Sequence, residues 1–409
     1  MENKKVLLAD HLLVGKDLSP LRDGCVIVSG GKVERITTRA ALAGENLDAF
    51  EVVELGNRTL MPGMIECHNH ISLDARLPDH LEMMARCSES ELTVIGLKTL
   101  RDDLLSGVTT ARTLGEKYYI DMVMRDKIQD GSIIGPNLVC AGIGMRSLHG
   151  HGYIGSPYTG VEQFRLTARE NMRRGAKLLK LFVTPGMLSV DSDSVPCYLS
   201  PEEIRTVVSE GERLGLPTTA HCIGGYGVRN CLEQGVTVLE HLYAAGEEEL
   251  ELIQKYGRWV DLTSGIYLDP SREPFLSPQS AEKTRLRREK VRSNLERLVK
   301  GGVKFVLGTD AYHTFLYREV EYAVELGADT RTALMGVTSN AALVCGLGDR
   351  TGSVSEGYDA DIIAVNGNPL ETPAALADVA FVMKGGKIYR DPEGTVRIGA
   401  SQTFQMTIA

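Results

Sequence analysis

Through the middle of the chain, compact apolar runs alternate with longer stretches whose apolar positions recur at helical spacing. The apolar runs are Leu60–Glu66, Val108–Arg112, Leu138–Gly142, Leu178–Val183, Pro217–Cys222, Val238–His241, Trp259–Leu262 and Phe305–Gly308. Between them, Pro201–Leu214 and Ala281–Lys300 have helical composition, the first with Ser200 as N-cap ahead of a proline at the first helical position. Eight strands alternating with helices predict an α/β fold, a (β/α)8 TIM-type barrel, although periodicity alone also permits a doubly wound sheet.

The two ends have a different texture. Val6-Leu7-Leu8, Cys25-Val26-Ile27-Val28 and Lys32-Val33-Glu34-Arg35-Ile36 are short runs broken by Gly30-Gly31, and read as hairpin strands. The same pattern returns in Ala360–Val365 and in Val382–Tyr389, which contains Gly385-Gly386. Neither group has enough strands to bury a β face alone, so the ends are expected to meet in a small composite β-sandwich. The expected division is residues 1–58 and 350–409 for the composite β-sandwich and 59–349 for the catalytic barrel. No internal repeat, low-complexity tract or proline-rich linker interrupts this plan.

Composition narrows the function. With 409 residues, 43% hydrophobic and 24% charged, the chain can bury a sizeable core. A net charge of −9 disfavours a nucleic-acid partner held through its phosphates. No stretch approaches the ~20 apolar residues needed to cross a bilayer, and the run after Lys4-Lys5 is too short for a signal peptide. The eight cysteines are scattered without a C-x-x-C pair, which fits reduced thiols and a cytoplasmic location.

The candidate chemistry sits at strand ends, where barrels of this kind carry their active sites. His68 and His70 follow the first apolar run, and an i, i+2 pair on an extended segment turns both imidazoles to one side, where they can hold a metal ion. His221, His241 and Asp310 each close a later run, and Lys180 lies inside another. Each has an ordinary reading taken alone: a structural histidine, an edge lysine reaching for solvent, an aspartate capping a helix. Six such placements in one barrel argue together for a metal site.

Those segments resemble the amidohydrolase superfamily. Pro62-Gly63-Met64-Ile65-Glu66-Cys67-His68-Asn69-His70 is similar to its first-strand signature, and Ser106-Gly107-Val108-Thr109-Thr110 with Arg112 to its second. Gly175-Ala176-Lys177-Leu178-Leu179-Lys180-Leu181 resembles the segment whose last lysine is carboxylated to bridge two metals. Ala220-His221, Glu240-His241 and Gly308-Thr309-Asp310-Ala311 match the remaining ligands, and Gly352–Asp361 the return into the composite sandwich. Glu66 and Lys177 stand where the family more often has aspartate.

The resemblance implies a binuclear centre of two divalent ions, by default Zn2+. His68, His70 and Asp310 would hold the more buried ion, His221 and His241 the more exposed one, and carboxylated Lys180 would bridge them. It further implies a hydroxide bridging the metals as nucleophile, with Asp310 as the catalytic proton carrier, and C–N amide hydrolysis in a small dipeptide or N-acyl amino acid. A cyclic-amide or imidazolone-type ring hydrolase is the alternative. A one-metal deaminase is less favoured, because Lys180 is present and no glutamate follows His221 at the third position. Homo-oligomers are common in the family and are expected here.

The segment Gly144–Tyr153 is expected to be a loop over the metals, and its Gly150-His151 resembles the G-G-H of a subgroup cleaving Xaa-Pro and other dipeptides or removing C-terminal Arg and Lys. The resemblance makes His151 a substrate-binding residue, joined as candidates by His149, which replaces a glycine of that motif, and by Arg146. Tyr226 and Arg229 follow His221, where Ile223 departs from the subgroup, and are candidates for a hydroxyl and a carboxylate clamp; Tyr312 and His313 are further candidates beside Asp310.

Overall fold

The computed structural model describes residues 4–397 apart from 79, 187, 188 and 190–194; the stretch 398–409, assigned above to the composite sandwich, lies outside the described residues. Four strands open the chain: β1 (Lys4–Val14), β2 (Ser19–Ser29), β3 (Lys32–Thr38) and β4 (Phe50–Pro62). The middle supplies β5 (Met64–Asn69), β6 (Val108–Thr113), β7 (Asn137–Cys140), β8 (Met145–Ser147), β9 (Ser156–Tyr158), β10 (Leu179–Phe182), β11 (Thr218–Cys222), β12 (Val238–His241), β13 (Trp259–Leu262) and β14 (Lys304–Leu307). The last three are β15 (Ile362–Val365), β16 (Val379–Lys384) and β17 (Lys387–Arg390).

Strands β5 to β14 pair in parallel and, with their helices, form the TIM-type barrel. Its third wall element is split. β7 pairs with β6, the chain turns through Gly142 at φ 76°, and β8 then pairs with β10, with Met145 opposite Leu181. Part of the segment expected to be a loop is therefore barrel wall. The Asp310 N–H donates to the His68 carbonyl at 2.9 Å across the seam between the ends of β14 and β5, which makes a closed ring of what periodicity left open to a flat sheet. The strands of this ring are buried along nearly their whole length, as parallel strands covered by helices must be.

The first apolar run divides differently from the expectation: Leu60–Pro62 ends β4, and the barrel strand starts after Gly63 and runs on to Asn69. Helix ends follow local capping. Ser200 and Glu203 form a reciprocal capping box around Pro201, starting the helix Pro201–Glu212. Ser277 and Pro278 start the next long helix, Pro278–Lys300, three residues before its apolar pattern becomes visible.

Both ends of the chain enter one seven-stranded sheet in the order β17-β16-β15-β4-β1-β2-β3. β4 joins them, antiparallel to β15 and parallel to β1. The sheet rolls around a core that includes Val28 and Val33 from one edge and Met383 and Ile388 from the other. Its two Gly-Gly tips meet, since a Cβ on Gly386 would stand 2.9 Å from the Gly31 Cα. The expected sandwich is thus a single sheet folded on itself. Among the described residues no helix is long and apolar enough to cross a membrane.

Candidate active site

The barrel's strand ends bring His68, His70 and Asp310 together. The Asp310 Oδ1 lies 3.4 Å from His68 Nε2 and 3.6 Å from His70 Nε2. The remaining rings continue the cluster, with centroids 4.7 Å apart for His68–His241 and 4.6 Å for His241–His221. Lys180 extends from β10 beneath them, fully buried, and its ammonium has no hydrogen-bond partner.

Hydrogen bonds on the far side of His68, His70 and His221 settle where each proton sits. His68 Nδ1 donates to the Glu240 carboxylate at 2.8 Å, His70 Nδ1 to the Gly115 carbonyl at 2.9 Å, and His221 Nε2 to the Pro185 carbonyl at 3.1 Å. His241 Nδ1 meets the Thr263 hydroxyl at 2.7 Å. Burial, reinforced by Lys180, holds His68, His221 and His241 well below the usual imidazole range, so they are neutral at pH 7. Burial also opposes the Asp310 charge, but the surrounding cations, Lys180 and Arg272 among them, keep the carboxyl below its usual range.

Three unprotonated acceptors therefore converge: two imidazole lone pairs and a carboxylate oxygen, all within 4.8 Å of one another. Such a convergence is repulsive unless a cation lies among them, and neutral imidazole with carboxylate suits a divalent transition ion. Lys180 fits the same picture. Burial lowers its ammonium to about 8, and its unsatisfied Nζ is where a carbamate would place two further oxygen ligands.

The backbone is bent to serve these side chains. His241 and Leu242 at the end of β12, and Asp310 and Ala311 after β14, have φ between 53° and 79°. The left-handed region costs non-glycine residues about 1–3 kcal/mol each, strain typical of functional sites. Gly308 is required for a different reason: a Cβ there would lie 2.4 Å from the His68 Cβ and 2.5 Å from its backbone nitrogen.

Below the histidines lies a charged layer of Arg112, Glu240 and Asp261. Arg112 donates through Nε to the Cys67 carbonyl at 2.6 Å, and through Nη2 to Glu240 at 3.0 Å and Asp261 at 2.9 Å. Burial works against the Glu240 charge, but Arg112 and Lys180 prevail and its carboxyl lies below the usual range. Burial, with the Glu240 charge added, pushes the Asp261 carboxyl up against the pull of Arg112. A charged residue inside a barrel strand was the signal that singled out Lys180, and Arg112, Glu240 and Asp261 carry it too.

The candidates for substrate contact divide. The His151 ring lies 4.7 Å from that of His221, and burial lowers it to about 4. His149 is exposed, with its ring 5.1 Å from Tyr198. Arg146 is occupied in shaping its own loop, donating to the carbonyls of Gly150 at 2.9 Å and of Ser147 and Gly155 at 3.3 Å. Tyr226 is exposed at the start of the helix Tyr226–Gln234, and Arg229 on that helix pairs with Glu248 and, at 3.8 Å, with Glu233. Both nitrogens of His313 are used, on Asp103 and on the Leu73 carbonyl, each at 2.8 Å, while Tyr312 bonds Ser271 at 3.0 Å. A cavity of about 940 Å3 lies at the opposite end of the barrel, lined by residues at strand starts such as Asn137, Thr237 and Trp259, and holds none of these groups.

A barrel with a histidine, carboxylate and lysine cluster at its strand ends is the architecture of a metal-dependent hydrolase. The chain belongs to the amidohydrolase family, whose model matches residues 59–389, and is an enzyme of that amide-hydrolysing class. An ochratoxinase of Aspergillus niger is 28% identical over 431 aligned positions, covering 96% of this chain and 88% of that one. Its crystal structure superposes with a TM-score of 0.82 at 26% identity, over 95% and 96% of the two chains. An imidazolonepropionase of Mesorhizobium japonicum is 24% identical over 89% of each chain. A Xaa-Pro dipeptidase with methionine bound in its active site shares the fold at a TM-score of 0.81 and 24% identity, over 94% of this chain and 99% of that one.

Proposed function

We propose that this amidohydrolase uses two divalent metal ions, by default zinc, to cleave a C–N amide bond in a small dipeptide or N-acyl amino acid. The observation that carries the reading is the convergence of unprotonated His68, His70 and Asp310 beside the partnerless ammonium of Lys180. His68, His70 and Asp310 would hold one ion, His221 and His241 the other, and a carboxylated Lys180 both. When bound, such ions supply a water nucleophile near neutral pH and polarise the scissile carbonyl.

The protein's own groups do the rest. Glu240, Gly115 and Pro185 fix the tautomers of His68, His70 and His221, so that each presents a lone pair to the cluster. Asp310 stays ionised and can take the proton lost by water, then deliver it to the leaving nitrogen as the C–N bond breaks. His151, buried beside His221, is a neutral donor or acceptor for the substrate.

The test is zinc-reconstituted protein assayed against a library of dipeptides and N-acyl amino acids, with metal counted per chain. Turnover with two equivalents of metal supports the reading, and no turnover across the library overturns it. A second reading, ring opening of a cyclic amide or imidazolone, draws on the likeness to imidazolonepropionase. Hydrolysis of rings with linear amides left intact would favour it.

A further inference from the structure

Arg272 belongs to the short segment Pro270–Phe275 that follows β13, on the face of the barrel where the histidines gather. It is only 5% exposed, yet its Nε and Nη1 have no hydrogen-bond partner. A buried guanidinium without a matching anion is an expensive arrangement, because neither water nor a carboxylate replaces the lost hydration. Its guanidinium carbon lies 5.0 Å from the centroid of the ring of Tyr312, which stands two residues after Asp310. A cation resting on an aromatic face leaves its edge N–H groups unused.

The nearby acids are engaged elsewhere. Glu319 accepts the N–H groups of Ser264 and Gly265, each at 2.7 Å, and burial raises it to about 8, so it is largely protonated at pH 7. Asp269 accepts from the Ser271 N–H at 2.9 Å and faces Arg318 at 3.4 Å. Asp310 is turned to His68 and His70. The Arg272 charge reaches Asp310 and His80, which locates the guanidinium within the field of the histidine cluster without a partner of its own there.

We propose that Arg272 binds a carboxylate of the substrate through its unpartnered Nε–H or Nη1–H, and so selects amides that carry a carboxylate near the scissile bond. This rests on the hydrolase reading above and narrows it: the substrate is an anion, and a neutral amide of equal size is discriminated against. A hydrogen bond from the guanidinium to a carboxylate carries a charge–charge attraction that an uncharged carboxamide cannot supply.

The experiment compares matched pairs: N-acyl amino acids and their C-terminal carboxamides as substrates, and free amino acids and their amides as calorimetric ligands. Metal-loaded wild type, Arg272→Met and Arg272→Lys are compared after their unfolding midpoints have been recorded. Wild type is expected to prefer the carboxylate by about 10- to 100-fold in both affinity and kcat/KM, the range for a hydrogen-bonded charge. Arg272→Met should erase that preference, with any change at Asp310 falling on carboxylate and carboxamide alike, and Arg272→Lys should keep part of it. Equal loss for carboxylate and carboxamide in both variants, or a wild type that binds the two alike, overturns the inference. A binding preference lost in Arg272→Met, in a protein that hydrolyses no amide, would refute the hydrolase reading and uphold the carboxylate site. Turnover without a preference would do the reverse.

Discussion

Replacing Glu240 by glutamine tests whether the layer under the histidines sets the metal site. The carboxylate accepts from three sides: His68 Nδ1 at 2.8 Å, Arg112 Nη2 at 3.0 Å, and the Thr219 hydroxyl. A glutamine has one acceptor oxygen and one amide donor, so no orientation serves them all. With the oxygen towards Arg112, the amide faces His68 Nδ1 and favours the tautomer protonated on Nε2, which aims a proton at Asp310. With the oxygen towards His68, a donor faces the buried guanidinium. Either way one charge-assisted hydrogen bond is lost, about 1.5–3 kcal/mol. Part of this is recovered, because burial and the Glu240 charge push the Asp261 carboxyl up, and with that charge gone Asp261 pairs more readily with Arg112. Unfolding of the metal-free variant should therefore show a loss towards the lower end of that range. Metal affinity, read by competition with a chelator, should fall about 10- to 100-fold, as when other groups that orient metal-binding histidines are removed. Unchanged metal affinity together with reduced stability of the metal-free protein would refute this role for Glu240.

Other outcomes follow from particular contacts. Lys180→Met removes a buried charge without a partner, so the metal-free protein should be at least as stable as wild type while bound metal per chain falls; calorimetry and elemental analysis read the two effects. Gly308→Ala forces a methyl against His68 and should cost about 1–3 kcal/mol with loss of metal retention, measured by denaturant unfolding and chelator competition. Burial opposes the His313 charge, but Asp103 outweighs it and raises this imidazole above its usual 6.5. Its contribution to stability is therefore complete below about pH 6.5 and fades as pH rises through the raised value. Unfolding midpoints between pH 6 and 9 should show that decline, and Asp103→Asn should flatten it. Stripping metal with a chelator should abolish turnover and lower the unfolding midpoint, and returning zinc should restore both.

How much was readable before the structure depended on whether the signal was local. His68 and His70 were visible because a two-residue spacing on a strand needs no knowledge of the rest of the fold. The barrel strands were visible because burial on both faces leaves unbroken apolar runs. The exit from β4 was missed, since Leu60–Glu66 is apolar on both sides of Gly63 and only pairing with β15 assigns Leu60–Pro62 to the other sheet. Arg146 looked like a binding group from composition, but its donors go to its own loop's carbonyls, and nothing local announces that. Arg112, Glu240 and Asp261 come from three strands far apart in sequence and become a network only when the ring closes. Arg272 sits in a polar segment where an arginine is unremarkable, and its burial is a purely tertiary fact.

The antiparallel pairing of β15 with β4 constrains how the molecule is made. Thr59–Pro62 finds its partners Ile362–Val365 only after roughly 300 further residues have been added. At about 5–20 residues per second, the open edge of β4 waits on the order of 15–60 s while the barrel is synthesised. An unpaired edge of this kind is a template for pairing with another nascent chain. Chains ending before Ile362 should therefore collect in insoluble material even though every barrel strand is present, and the yield of full-length protein should rise when translation is slowed less, or chaperone capacity raised, over that interval.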